Sequence, residues 1–480
     1  MIVGELRHGQ LVIIDRLKET VRLSEGLEEI GELTAAARAR ALDCLSRFGE
    51  RLRHIHASNV RVAGTSTFRR AKGSDEFCKE AGLALGHPLE IISGREEARL
   101  IYVGVTHSTP PYEGLRLVLD IGGGSTELIL GQASEPLALE SLNMGCVLMT
   151  ERHFRMGRIS RAAFEEARLV VRLKLRPIKA HFRDLPDVEA IGTSGTIRAT
   201  EKVARELGII DSELNLNAVE QLIDRACGFD DIASLALPGL SERRAQVWLG
   251  GLAILVELLS VLRIERLKTS EGALREGLLY DSVGRLQHED ARERTVQALS
   301  YRYHIDREQA QRVSDTAAHL LAQCAEKWKL NSSFSGSMLE WSALLHEIGL
   351  DISHDGFQKH GAYIAENADL PGFPRAEQKY LAFLIANQRR QVDTDLCEEL
   401  PAKWQQESLR LAILLRLAVL LNRSRSREAL PNIALEVAEN SLALNFPQGW
   451  LEQNPLTRAD LEREKDYLSD LRYELRINPV

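Results

Sequence analysis

The chain of 480 residues is 44% hydrophobic and 27% charged, with a formal net charge of −8. That length is too great for one core and predicts roughly two to four domains. The acidic balance excludes a generally basic nucleic-acid binder and requires any anionic ligand to be met by local positive charge.

The first residues carry Glu5 and no long apolar core, so a cytoplasmic chain without a secretory leader is expected. Residues 1–102 alternate strands with helices: 11–14 and 60–63 are strand-like, and 35–52 has helical spacing. Arg69, in TSTFRR (65–70), is either a phosphate ligand or a surface arginine. GREEAR (94–99) opens a helix with two adjacent acids, Glu96 and Glu97. At a helix start a carboxylate can be held by backbone donors and aimed into a cleft, or it can simply favour the dipole. Thr109-Pro110-Pro111 marks a break, after which 115–280 repeats the strand-and-helix mixture.

The segment LVLDIGGGSTELIL (117–130) reads as a strand, a tight turn and a returning strand. Gly122, Gly123, Gly124, Ser125 and Thr126 form a loop that can present N–H donors to a phosphate oxygen. Asp120 and Glu127 stand at its lips, where hard oxygen ligands suit the Mg²⁺ of a polyphosphate; a plain Gly-rich hairpin with two solvated acids is the alternative. A second loop, Gly192-Thr193-Ser194-Gly195-Thr196, follows a short strand and opens a helix, an arrangement suited to anions. A third, SEGALREG (270–277), contains Gly272, Arg275 and Glu276. Singly each could be a turn and a cap; together they suggest a cleft between two α/β halves. The apolar run 249–262, interrupted by Glu257, is too short to span a bilayer and predicts a buried helix.

Beyond residue 281 strands nearly vanish. Helices are expected over 289–303, 307–330, 338–346, 376–388 and 408–422, then alternation over 433–446 and a final strand over 471–477. His346 on an apolar helix face is compatible with a hydrogen-bonded core histidine. Arg389, Arg390, Arg416, Arg423, Arg425 and Arg427 form either a solvated face or a track for a long polyanion. The six cysteines, Cys44, Cys78, Cys146, Cys227, Cys324 and Cys397, are scattered without metal-like spacing and read as reduced packing thiols.

The three loops resemble the phosphate-binding apparatus of the acetate and sugar kinase, Hsc70 and actin superfamily. The whole chain is similar to the exopolyphosphatase and guanosine pentaphosphate phosphohydrolase family. The resemblance is carried by RVAGTSTFRRA (61–71), LEIISGREEARLIYVGV (89–105), LDIGGGSTEL (119–128), MGCV (144–147), IGTSGTI (191–197), LPGLSERR (237–244), EGALREGLLYD (271–281), LLHEIGLDISHDGFQKHGAYI (344–364) and DLPGF (369–373). It implies an α/β fold class: two actin-like (ribonuclease H-like) ATPase-superfamily lobes, at 1–102 and 103–285. An all-α HD-like domain at 286–430 and a small α+β C-terminal cap at 431–480 would follow. The family opens with an Asp-Leu-Gly-Ser-Asn-Ser type phosphate loop, and Met1-Ile2-Val3-Gly4-Glu5 starts just beyond its place; a chain extended by that loop is expected to be the more active.

By the same resemblance Glu97 activates water with Glu96 in support, and Arg69 binds a phosphate oxygen. Asp120 and Glu127 hold Mg²⁺. Gly122 to Thr126, with Gly192, Ser194, Gly195, Thr196, Gly272 and Arg275, grip phosphates, while Arg275 and Glu276 shape the opposite wall. The HD-like region carries His346-Glu347, with His354 and His360, in place of a His-Asp pair, which implies a structural or substrate-holding role. The implied activity is release of terminal phosphate from inorganic polyphosphate. The alternatives are conversion of guanosine pentaphosphate to the tetraphosphate, or a non-catalytic phosphate sensor. No nucleic-acid partner is expected; a homodimer is, with peripheral association at the inner membrane face as a further expectation.

Overall fold

The computed structural model describes all residues except 8, 9, 20, 22, 24–30, 287–289, 331 and 480. The chain divides into two compact units, Met1–Asp290 and Ala291–Val480.

The first unit opens with an antiparallel hairpin of β1 (Ile2–Arg7) and β2 (Gln10–Arg16). The helix Ala35–Leu52 follows, capped by the Thr34 side chain, which accepts from the Ala37 amide. A short parallel pair, β3 (Ala63–Gly64) and β4 (Glu90–Ile91), precedes the helix Gly94–Ser108. The main sheet contains β5 (Leu115–Ile121), β6 (Thr126–Gln132), β7 (Glu135–Leu142), β8 (Glu189–Thr193) and β9 (Lys268–Thr269), in the order β7-β6-β5-β8-β9. β5, β6 and β7 are antiparallel neighbours; β8 lies parallel to β5 and to β9.

Central β5 is apolar on both faces because both are covered. Leu117 and Leu119 point into a core shared with Leu252, Val256 and Trp248 of the helix Glu242–Leu262. Val118, with Ile129 and Ile191, packs on Ala98, Ile101, Tyr102 and Val105 of the helix Gly94–Ser108. Each fully buried Leu or Val contributes about 1.5–3 kcal/mol. Strand alternation then sets the site. Asp120 lies two residues beyond Val118 and Glu127 two before Ile129, so both acids face the same side as the helix Gly94–Ser108. The helix Glu242–Leu262 has the length and composition of a membrane span, yet it is buried inside this unit. Its Glu257 accepts from Arg168 Nε and Arg172 Nε, each at 2.6 Å.

The second unit is mainly helical. Ala291–Arg302, Arg307–Trp328, Ser333–Leu344, Phe357–Asn367, Arg375–Ala386 and Ala402–Leu421 surround one core. The strands β10 (Ala434–Val437), β11 (Ser441–Phe446) and β12 (Glu474–Pro479) make a three-stranded sheet, with β11 and β12 parallel and joined through the helix Pro455–Asp470. Leu435, Leu444 and Leu475 of this sheet belong to the same core as Leu320, Leu381 and Leu414 of the helices. The segment expected as a C-terminal cap thus shares the helical core.

Candidate active site

The helix Gly94–Ser108 starts where its N-cap Ser93 accepts from the Glu96 amide at 3.1 Å. Gly94 is held against β7: a Cβ there would lie 2.6 Å from Ser141 Cβ. Ser141 Oγ in turn donates to Glu127 at 2.8 Å, so the helix start is seated beside the strand that bears the acid. Glu97 is 7% exposed, Asp120 9% and Glu127 1%. Asp120 and Glu127 are direct cross-strand partners. Burial, and then the charge of Glu97, pushes the Asp120 carboxyl up to about 7. Burial, then Glu97 and Asp120, raises Glu127 well above its usual range. Burial also raises Glu97, against the opposing pull of Arg69 and a hydrogen bond with Thr65. These are three mutually repelling carboxylates with one arginine: Arg69 Nη1 donates to Glu97 at 2.8 Å and to the Ile92 carbonyl at 3.0 Å.

Asp120 and Glu127 have no basic partner among the described residues. A buried carboxylate pair without a counter-charge is the donor set of a hard cation, and Mg²⁺ characteristically takes one or two carboxylates and completes its octahedron with water and phosphate. No group of three His, Cys, Asp or Glu able to hold a metal occurs among the described residues. The residues therefore fit a cation shared with a substrate phosphate rather than one caged by protein.

The loop between β5 and β6 is closed by the Gly122 amide donating to the Ser125 carbonyl at 2.9 Å. None of Gly122, Gly123 and Gly124 has a left-handed φ; crowding fixes the loop. A Cβ on Gly145 would lie 2.3 Å from the Gly123 carbonyl carbon, and the Cys146 and Val147 amides donate to the Gly122 and Gly123 carbonyls. The Gly123 and Gly124 amides have no acceptor among the described residues, which leaves two donors for a phosphate oxygen. Ser125 bonds Glu127. Thr126 departs from its expected role, because its buried hydroxyl donates to the Met144 carbonyl at 2.6 Å.

The second loop divides by burial. Ser194 and Gly195 are half-buried at the N-terminus of the helix Ser194–Glu206. Gly192 lies inside β8, with its carbonyl bonded to the Ser270 amide, so it does not belong to an open loop as expected, and Thr196 is buried against Gly251 and Cys146. Gly272 is also corrected: it wedges against Gly104 and Ser108, its amide donates to Ser270 and its carbonyl accepts from Thr193. Glu96 does not stand with Glu97, since one helical residue turns the side chain by about 100°. It instead takes a bidentate bond from Arg99, which also bonds Asp281.

Two basic groups escaped the sequence reading. Arg244 packs on the second loop, its Nη2 2.1 Å from where a Gly195 Cβ would stand. Lys18 is held below its ordinary pKa by partial desolvation and then by Arg275, Arg244, Arg198 and Arg243. Lys18, Arg243 and Arg244 have no carboxylate partner among the described residues. The SERR run (241–244) was the available signal for Arg244; for Lys18 there was none.

In the second unit, Arg389, Arg390, Arg416, Arg423 and Arg425 converge on a 460 Å³ cavity also lined by His346, Glu347, Asp460 and Glu464. Several are already paired: Arg390 with Asp355, Arg423 with Asp460, and Arg425 with Asp306 and Glu347; Arg427 is not in the lining and stands 3.8 Å from Glu308. Arg416 is 1% exposed and bonds Glu464 and the Asn387 and Arg390 carbonyls, so it cannot belong to an open track. His346 is buried and bonded through Nδ1 to the Ala343 carbonyl at 2.7 Å.

Residues 2–286 match the Ppx/GppA phosphatase family, and residues 291–465 match Ppx/GppA phosphatase, domain III. A guanosine-5'-triphosphate,3'-diphosphate pyrophosphatase of Aeromonas hydrophila is 39% identical over 477 residues, covering 99% of this chain and 96% of that protein. Its counterpart in Vibrio cholerae is 40% identical over 477 residues, covering 99% and 95%. Among solved structures, an exopolyphosphatase from Cytophaga hutchinsonii has a TM-score of 0.52 at 24% identity over 58% of this chain and 92% of its own. The Aquifex aeolicus member of the Ppx/GppA family has 0.50 at 23% over 60% and 94%. At those identities the likeness shows the fold alone. With carboxylates, glycine loop and family match running through one chain, the protein belongs to the Ppx/GppA phosphatases, hydrolases of phosphoric anhydride bonds.

Proposed function

We propose that the chain hydrolyses the terminal 5'-phosphate of guanosine pentaphosphate, giving guanosine tetraphosphate and inorganic phosphate. The observation that carries hydrolysis is the placement of Glu97 beside Asp120, Glu127 and the open amides of Gly123 and Gly124. The choice of substrate rests on relatives of near full length, both named for a guanosine nucleotide. This reading replaces the expected preference for inorganic polyphosphate, which is supported only by structural neighbours too distant to speak for a substrate.

In this reading the terminal phosphate sits on the Gly123 and Gly124 amides, with Arg69, Lys18 and Arg244 supplying positive charge. Glu97 orients a water in line with the terminal phosphorus. The water oxygen forms the new P–O bond, the bridging P–O bond breaks toward the departing nucleotide, and the water proton passes to a Glu97 oxygen. The raised affinity of Glu97 for a proton suits it to that task. Asp120 and Glu127 would hold Mg²⁺, which when bound neutralises charge on the phosphates.

Glu97→Gln keeps the shape and removes the base. Turnover of guanosine pentaphosphate should fall by roughly a hundredfold or more, with nucleotide binding nearly intact. Phosphate release and equilibrium binding, measured side by side, check this. Unchanged turnover would remove Glu97 from the role, and faster release from short polyphosphate than from the nucleotide would reverse the substrate assignment.

A further inference from the structure

A cavity of about 830 Å³ in the first unit is not part of the carboxylate site. Arg70, Arg152, Arg155 and Lys174 line it, with Glu151 as its one acid. None of these four cations has a carboxylate partner among the described residues. Arg70, Arg152 and Lys174 each stand in the last turn of a helix, where a cation complements the dipole. That accounts for each separately but not for their convergence, which leaves uncompensated like charge around one hollow. A basic concavity of this kind concentrates anions.

The cavity adjoins the phosphate loop. Arg70 follows Arg69, the partner of Glu97, and its Nη1 lies 3.9 Å from where a Gly124 Cβ would stand. Met144, in the cavity wall, is tied to the loop through its carbonyl and Thr126. On the outer rim the turn Arg155–Gly157 holds Met156 at φ 55° and 93% exposed, an apolar side chain presented to solvent beside the cations. The Arg155 guanidinium is braced on the Arg152 carbonyl at 3.3 Å. A substrate gripped at Gly123 and Gly124 by one phosphate group can thus place a second, separate one among these four cations.

We infer that this cavity is the subsite for the non-reacting diphosphate of the nucleotide, with Arg152, Arg155 and Lys174 as its ligands and Met156 as an apolar rest for ribose or base. The inference deepens the guanosine pentaphosphate reading and rests on it. It separates a nucleotide with two phosphate branches from one that has a triphosphate only.

The test is Arg152→Gln with Arg155→Gln, and Lys174→Gln separately, in the full chain. For guanosine pentaphosphate KM should rise at least tenfold while kcat changes less than twofold. Inhibition by GTP, which lacks the second branch, should move less than twofold. Arg152→Lys with Arg155→Lys should recover much of the loss, which separates lost charge from lost folding. Unchanged KM, equal losses for GTP, or a fall confined to kcat would overturn the subsite. The wild-type rate tests the underlying reading: a protein inert toward guanosine pentaphosphate sinks both, whereas an active one with indifferent variants sinks the subsite alone.

Discussion

Asp120 and Glu127 stand opposite each other at the end of an apolar sheet, buried, with Glu97 close enough to repel both. Charge placed there lowers the stability of the metal-free fold, because neither desolvation nor repulsion is offset by a basic partner. Asp120→Asn is isosteric and removes one of the charges. The metal-free variant should unfold at the same temperature as the wild type or a few degrees higher, while phosphate release falls by about a hundredfold or more. Calorimetric unfolding in chelator, paired with a turnover assay, checks the two halves. A variant several degrees less stable would mean that Asp120 holds the fold together. Lys18 and Arg244 show the same conflict with opposite sign, being gathered with Arg275, Arg198 and Arg243.

A single element, the helix Gly94–Ser108, separates catalysis from architecture by rotation. Its Glu97 faces the site, whereas Glu96 and Arg99 turn toward the helix Leu274–Leu286 and its Asp281. Asp281 also takes Arg61 and Arg285, and these guanidinium groups hold its carboxyl far below the usual range despite burial. A depressed acid contributes stability above its unfolded pKa of about 4 and loses it as pH falls below that value. Asp281→Asn takes one carboxylate from Arg61 and one from Arg99, which keeps Glu96, and should cost about 3–5 kcal/mol at neutral pH. The wild-type advantage should narrow as the medium is acidified below about pH 4. Denaturant unfolding of both proteins across pH measures this; an advantage that grows in acid would reverse the sign of the argument.

At the scale of the whole molecule, each unit has its own core, and Arg416 serves the core of the second. Arg416 is enclosed, and burial would raise the proton affinity of Glu464 further were Arg416 not bonded to it. Arg416→Ala leaves that carboxylate unpaired and should destabilise the second unit by about 3–5 kcal/mol. KM for guanosine pentaphosphate at a permissive temperature should be unchanged. Urea unfolding with steady-state kinetics distinguishes the roles: a normally stable variant with weakened substrate binding would return Arg416 to a ligand role. Arg389 differs, because its guanidinium lies over the Phe357 ring and has no carboxylate partner among the described residues.

Much of this was legible in the chain itself. The alternation around Asp120 and Glu127 places both acids on one face of a hairpin, since strand side chains alternate sides with period two. The helix at 35–52 and the buried run interrupted by Glu257 were readable from spacing, because amphipathic periodicity reports which face is covered. What sequence could not decide was which polar groups remain free. Thr126, Gly192, Thr196 and Gly272 have the residue types of phosphate loops, yet close packing commits their hydroxyls and amides or buries them. Glu96 and Glu97 are adjacent in the chain but diverge in space because a helix turns by about 100° per residue. The basic cavity of Arg70, Arg152, Arg155 and Lys174 exists only because three helices and a turn end at one place, a convergence that no local spacing encodes.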